Sequence, residues 1–131
     1  LDKKLRLAAI ETPIFAVSTI QDHIAPWAST FRGLAKLRGE RTFILSESGH
    51  IAGIVNPASK DKYGHWFNDE PPRDPEFWKE NADFVKESWW HKWSAWLAKD
   101  DKQTTKARKL GSKAFPEIEP APGSYVLKPG I

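Results

Sequence analysis

The chain has 131 residues, of which 40% are hydrophobic and 28% charged, and its formal net charge is +3. This length suffices for one domain with a modest core, and the composition is typical of an ordinary globular protein. The absence of cysteine excludes disulfides and thiolate metal ligands from this segment. No apolar run approaches the length of a transmembrane helix, and the first residues carry no signal-peptide pattern.

The first predicted elements are two short strands with a helix between them. The runs from Pro13 to Ser18 and from Thr42 to Leu45 have the apolar, β-branched composition of buried strands. Between them, residues 28–39 carry apolar side chains at helical spacing. This order predicts a βαβ unit with two parallel strands.

An acidic residue and a histidine follow these strands where each one ends. Asp22 comes shortly after the first strand, and His50 follows the second, between Gly49 and Gly53. Because parallel strands end at the same edge of a sheet, we expect the two loops to meet. A carboxylate there orients the imidazole, whose other nitrogen can act as a base toward a nucleophile. The alternative is that Asp22 caps the following helix and His50 is an ordinary loop histidine.

Three neighbours of this pair are candidate substrate-binding residues, namely His23, Trp27 and Ile51. For His23 the alternative is a role in bracing the loop, and for Trp27 it is packing beneath the loop. The four histidines of the chain show no spacing typical of metal ligands, so we expect no metal site and no cofactor.

The middle of the chain is predicted to be irregular and then helical. Residues 59–75 are polar and rich in charge, which indicates a surface excursion. Asp74, Pro75 and Glu76 form a clear helix start, and we expect that helix to run to about Glu87.

A Trp-rich helix is predicted from Trp89 to Lys99, with Ser88 as its cap. Its expected core face is a stripe at helical spacing, formed by Trp89, Trp93, Trp96 and Leu97. Trp90 falls outside this stripe and is a candidate contact residue. An aromatic face of this kind also fits a module that binds a polymer or a nucleic acid.

The last part of the chain is basic and then rich in proline. We predict a catalytic-domain portion over residues 1–98, followed by a basic linker and an extended tail over residues 99–131 that packs on the same domain. The basic linker is either a solvated segment or a surface for an anionic partner.

Four motifs of the chain resemble those of polyhydroxyalkanoate synthases, and the likeness runs from about Thr12 to Val126. They are Asp22-His-Ile-Ala-Pro-Trp, Ser48-Gly-His-Ile-Ala-Gly-Ile-Val-Asn-Pro57, Ser88-Trp-Trp-His-Lys-Trp-Ser-Ala-Trp-Leu97 and Ile118-Glu-Pro-Ala-Pro-Gly-Ser-Tyr-Val126.

This resemblance implies an α/β fold, namely the C-terminal part of an α/β-hydrolase fold with its last βαβ unit, two or more helices and a Pro-rich tail. It implies a cytoplasmic, granule-associated acyltransferase that polymerises (R)-3-hydroxyacyl-CoA into polyester and releases CoA. His50 matches the general base and Asp22 the acid of a Cys-His-Asp triad. The family's cysteine box, Gly-x-Cys-x-Gly, does not occur in this chain.

The partners implied by the resemblance are the N-terminal remainder of the enzyme with its cysteine, the 3-hydroxyacyl-CoA, the growing polyester, a granule surface and a second copy in a homodimer. No nucleic acid or transmembrane segment is implied, and we expect this chain alone to be inactive. Two other functions stay open, namely a thioesterase, esterase or depolymerase with the same dyad, and a non-catalytic Trp-rich binding module. Whether Asp22 orients His50 or activates the substrate hydroxyl also stays open.

Overall fold

The computed structural model describes residues 5–69, 74–99 and 103–130. Its main elements, in chain order, are β1 Ile14–Thr19, α1 Trp27–Leu34, β2 Arg41–Ser46, β3 His65–Phe67, α2 Pro75–Glu80, β4 Asp83–Val85 and α3 Trp90–Leu97. The chain divides into two units, Leu1–Asp101 and Lys102–Ile131, and all of these strands and helices belong to the first.

The four strands form one mixed sheet in the order β1-β2-β3-β4. Strands β1 and β2 are parallel, from the pair Ile14–Arg41 to the pair Thr19–Ser46, and α1 connects them. The predicted βαβ unit is therefore confirmed, and the two strands end at the same edge of the sheet. The predicted fold class is confirmed at the level of an α/β protein with helices beside a partly parallel sheet.

The other half of the sheet is antiparallel, and the sequence interpretation missed it. Strand β3 lies within the stretch expected to be irregular, and it pairs with both β2 and β4. The predicted cap is present, because the Asp74 carboxylate accepts a hydrogen bond from the Phe77 amide. The helix nevertheless ends at Glu80 rather than near Glu87, since the following residues pair as a strand with β3.

The hydrophobic core lies where α1 and α2 pack against β2. It consists of five buried side chains: Phe31, Leu34, Phe43, Leu45 and Trp78. Edge-to-face ring contacts connect it, with centroids 5.0 Å apart for Phe31–Phe43 and 5.1 Å for Phe43–Trp78. This geometry is the favoured one for aromatic pairs and fixes the helices on the sheet that carries the site.

The Trp-rich helix covers a different part of the sheet, and its predicted core face is only partly right. Trp89 is buried, and Trp96 packs on Phe15 of β1 with ring centroids 5.7 Å apart. Trp93 is 37% exposed and Leu97 is 53% exposed, so the expectation that both lie in the core is wrong. The helix has only eight residues, Trp90–Leu97, and none of them is fully buried.

In the second unit, residues 103–130 contain one short 3₁₀ helix, Tyr125–Leu127, and otherwise no helix or strand. The division into residues 1–98 and 99–131, with the tail packed on the domain, stays a prediction. None of the helices in the described parts of the chain has the length and apolar character that crossing a membrane requires.

Candidate active site

The acid loop and the histidine loop are joined directly beyond the ends of β1 and β2. The Ile20 amide donates to the Ser46 carbonyl at 2.9 Å, and the Gln21 amide donates to the Ser48 carbonyl at 3.0 Å. Ser48 adopts a left-handed conformation with φ of 70°. These two hydrogen bonds extend the parallel pairing beyond the ends of the strands. They bring Asp22 next to Ser48 and Gly49, the two residues before His50.

The carboxylate of Asp22 is held by its own loop. Its Oδ1 accepts hydrogen bonds from the Ile24 and Ala25 amides, both at 2.9 Å. Asp22 is not a helix cap, because the cap position of α1 is Pro26. The alternative interpretation of Asp22 as the cap of the next helix is therefore wrong, since the side chain closes a turn of the loop instead.

The other carboxylate oxygen contacts the histidine. Asp22 Oδ2 lies 2.7 Å from His50 Nδ1, and the exposed side-chain fractions are 8% for Asp22 and 46% for His50. Hydrogen bonds from the Ala25 amide, the His50 ring and the Ile24 amide lower the pKa of Asp22 from 3.8 to about 2, although burial raises it. The carboxylate is therefore ionised at neutral pH and can only accept hydrogen bonds.

This arrangement assigns the two nitrogens of the imidazole different tasks. An ionised carboxylate requires a proton on Nδ1, so in the neutral ring Nε2 carries the lone pair. No hydrogen bond to His50 Nε2 is recorded from the described residues, and the ring is half exposed. Such a histidine can take a proton from a group placed beside it, which is the chemistry of a general base.

The segment after His50 is folded as a tight turn. The Gly53 amide donates to the Gly49 carbonyl at 3.1 Å, and the Val55 amide donates to the Ile51 carbonyl at 2.8 Å. A side chain at Gly53 would overlap the Glu47 carbonyl and the Thr19 methyl group, so this position requires glycine.

Three side chains before and within α3 hold this turn from outside. Trp89 Nε1 donates to the Gly53 carbonyl at 3.0 Å, and Trp90 Nε1 donates to the Ile54 carbonyl at 3.0 Å. Ser88 Oγ donates to the Asn56 carbonyl. The sequence interpretation missed these contacts. A buried indole N–H usually has a hydrogen-bond partner, so a Trp expected to be buried indicates that such a contact exists.

The predicted substrate-binding residues differ in their surroundings. His23 and Ile51 are exposed, Ile51 to 71% of its maximum. Trp27 packs against the core, with its ring centroid 6.2 Å from that of Phe31 in an edge-to-face contact. The packing alternative is thus observed for Trp27, and substrate binding by these three residues stays a prediction.

The remaining two histidines have other surroundings. His65 on β3 is fully buried, its Nδ1 donates to the Glu87 carbonyl at 2.8 Å, and burial lowers its pKa from 6.5. His91 on α3 lies 3.0 Å from the Asp61 carboxylate at the surface. Within residues 5–69, 74–99 and 103–130, no group of three or more His, Asp or Glu side chains is arranged to hold a metal ion.

Comparison with known proteins gives a consistent set of relatives. A poly(3-hydroxyalkanoate) polymerase subunit from Rhizobium meliloti is 43% identical over 124 residues, which are 95% of this chain and 20% of that protein. The subunit from Cupriavidus necator is 40% identical over 121 residues, 92% of this chain and 20% of the relative. A polymerase from Ectopseudomonas oleovorans is 36% identical over 122 residues, 92% of this chain and 22% of the relative.

No protein-family model matches the chain. The chain spans about one fifth of the length of these curated relatives. It is therefore homologous, over almost all of its own length, to a segment of the poly(3-hydroxyalkanoate) polymerases.

Proposed function

We propose that this chain supplies the acid and the general base of a polymerase that builds poly(3-hydroxyalkanoate) from 3-hydroxyacyl-CoA. The observation that carries the proposal is the contact between Asp22 Oδ2 and His50 Nδ1 at 2.7 Å, while none of the described residues forms a hydrogen bond with Nε2. The polymerases to which the chain is homologous give the substrate class.

In the first step, His50 Nε2 takes the proton of a cysteine thiol that another part of the enzyme supplies. The thiolate attacks the thioester carbonyl of the 3-hydroxyacyl-CoA, the carbon–sulfur bond to CoA breaks, and an acyl-enzyme forms. The CoA thiolate leaves and takes up the proton. The present chain has no cysteine, so the nucleophile does not belong to it.

In the second step, the same nitrogen takes the proton of a 3-hydroxyl group. The alkoxide attacks the thioester carbonyl of the acyl-enzyme, an ester bond forms and the carbon–sulfur bond breaks, which extends the polyester by one unit. The cysteine thiolate that leaves takes the proton back from His50. A hydroxyl group is a much weaker acid than a thiol, whose ordinary pKa is about 8.5. The second step therefore depends more strongly on the basicity of His50.

We infer that Asp22 acts through His50 and not on the substrate. One carboxylate oxygen accepts two backbone hydrogen bonds and the other contacts the imidazole, while the side chain is only 8% exposed. A carboxylate whose pKa is about 2 is also a poor base. Its contribution is to fix the tautomer and the orientation of the ring.

We also propose that this segment is part of an α/β-hydrolase-like domain. Acid and histidine follow the carboxyl ends of adjacent parallel strands, and their order in the chain is the one typical of such enzymes. A nucleophile from the remainder of the protein would then lie on the same edge of an extended sheet. The cytoplasmic granule surface and the homodimer stay implications of the family.

The proposal is tested in the polymerase that carries this segment, by single-turnover acylation and by steady-state polymer formation. His50→Gln should abolish both, and Asp22→Asn should slow polymer formation more than acylation. His91→Gln is the matched control, because it removes a histidine that is similarly exposed and also paired with a carboxylate. Retention of both steps in His50→Gln would refute the proposal.

The products of the same assay separate synthesis from hydrolysis. Polyester and free CoA are expected from a polymerase. Release of the free 3-hydroxy acid as the main product, with no polymer, would instead indicate a thioesterase that uses the same dyad with water as the acceptor.

A further inference from the structure

The amino end of the Trp-rich helix makes its polar contacts with the segment that follows His50. We propose that Trp89 and Trp90 are positioning residues, which hold the histidine loop so that the imidazole stays in line with Asp22. This proposal rests on the proposed function. It gives the two indoles a role in catalysis that aromatic packing alone would not give them.

The contacts are regular and directed at consecutive carbonyl groups. Trp89 Nε1 donates to the Gly53 carbonyl and Trp90 Nε1 to the Ile54 carbonyl, each at 3.0 Å. The Gly53 carbonyl also accepts from Ser46 Oγ, at 3.0 Å, at the end of β2. The loop is therefore held between the strand that precedes His50 and the helix that follows much later in the chain.

The turn connects these carbonyls to the histidine itself. Gly53 bonds back to Gly49, and Val55 bonds back to Ile51, so both residues that flank His50 belong to the hydrogen-bonded turn. On its other side the ring contacts Asp22. Because Ile51 is 71% exposed, the side chain that follows His50 contributes little packing. The hydrogen bonds, together with the close approach of Gly53 to Glu47 and Thr19, therefore set the position of the loop.

The remaining Trp residues of α3 do not share this geometry. Trp93 is 37% exposed and contacts the rings of Trp89 and Trp90, whereas Trp96 packs on Phe15. No hydrogen bond of either indole N–H to the histidine loop is recorded. Trp96 is therefore a matched control on the same helix, since its replacement by Phe removes the same atoms without touching the loop.

The experiment compares the double variant W89F/W90F with W96F in the polymerase that carries this segment. Replacement by Phe keeps one aromatic ring. It removes the indole N–H donor together with the second ring of the indole. We expect kcat for polymer formation to fall by about 10-fold to 100-fold in W89F/W90F, because small misplacements of catalytic groups have effects of this size. The KM should change little, and W96F should resemble the parent enzyme.

A second readout reports on the histidine directly and needs no activity. In samples labelled with ¹⁵N in the histidine ring and assigned with His50→Gln, the parent should show a proton on Nδ1 that is protected by the Asp22 contact. In W89F/W90F this proton should exchange faster with water, and the ring nitrogens should shift toward a mixture of tautomers. If the double variant does not fold, the single variants W89F and W90F give the same two measurements.

The outcomes are distinct. A folded double variant with unchanged kcat and unchanged His50 signals would overturn the proposal, and so would equal losses in W89F/W90F and W96F. Full activity of His50→Gln would refute the proposed function instead, whereas the exchange of the Nδ1 proton would still report whether the indoles hold the ring.

Discussion

At the scale of single residues, the ionised Asp22 should make the stability of the folded chain depend on pH in the acid range. Its pKa is about 2 in the folded chain and 3.8 as an ordinary carboxyl group, so between these values the unfolded chain binds more protons. The stabilisation by this carboxylate is therefore complete above about pH 4 and is lost as the pH falls toward 2.

Urea unfolding of the parent chain and of Asp22→Asn between about pH 5 and pH 2.5 measures this effect. The stability difference between the two should be largest at the upper end and shrink as the pH falls. Asp83→Asn, which removes an exposed carboxylate on β4, is the control. A difference that stays constant across this range would contradict the assignment of the low pKa to Asp22.

The buried His65 should make the free energy of unfolding depend on pH in a second range, at higher pH than Asp22 does. Burial lowers its pKa below the ordinary 6.5, so the unfolded chain takes up the proton first as the pH decreases. The free energy of unfolding should therefore decrease as the pH falls below about 6.5. Unfolding at about pH 7.5 and pH 5.5 should show a smaller pH dependence in His65→Gln, while His23→Gln, at an exposed position, should behave like the parent.

At the scale of elements, two Trp→Ala substitutions distinguish the core from the exposed part of α3. Trp78 on α2 is 2% exposed and contacts Phe31 and Phe43, so Trp78→Ala should destabilise the chain by about 3–5 kcal/mol. Trp93→Ala should cost clearly less, because Trp93 is 37% exposed. Chemical unfolding checks both, and a larger loss for Trp93→Ala would contradict the core described above.

The elements that the sequence predicts are those defined by local patterns. The apolar runs of β1 and β2, the helical spacing between them and the Asp74-Pro75 start of α2 are all visible along the chain. Strands β3 and β4 are not visible in this way, because each has only three residues and forms through pairing with a neighbour, β3 with β2 and β4 with β3.

The candidate site is likewise predicted only in part by the sequence. Asp22 and His50 follow their strands directly, so their meeting at one edge could be predicted. The contacts of Trp89 and Trp90 join positions 36 residues apart in the sequence. No local spacing encodes such a contact, so the helical stripe predicts a core position for Trp93 and gives no sign that Trp90 supports the loop.

At the scale of the whole molecule, the purified chain should release no CoA from 3-hydroxybutyryl-CoA above the background of a His50→Ala control. The reason is that the chain contains two of the three members of the proposed triad, Asp22 and His50, and no cysteine. Free thiol formation measures this. Turnover that depends on His50 in the isolated chain would show that a nucleophile other than cysteine serves the dyad.

Strand β1 has a consequence for the handling of the protein. It pairs with β2 on one side, no other described strand pairs with it, and its residues Ile14–Thr19 carry no charge. Unpaired edges without charged side chains recruit further strands and promote aggregation. The isolated chain should therefore self-associate with increasing concentration, and co-expression with a polypeptide that covers this edge should be the practical route to soluble samples.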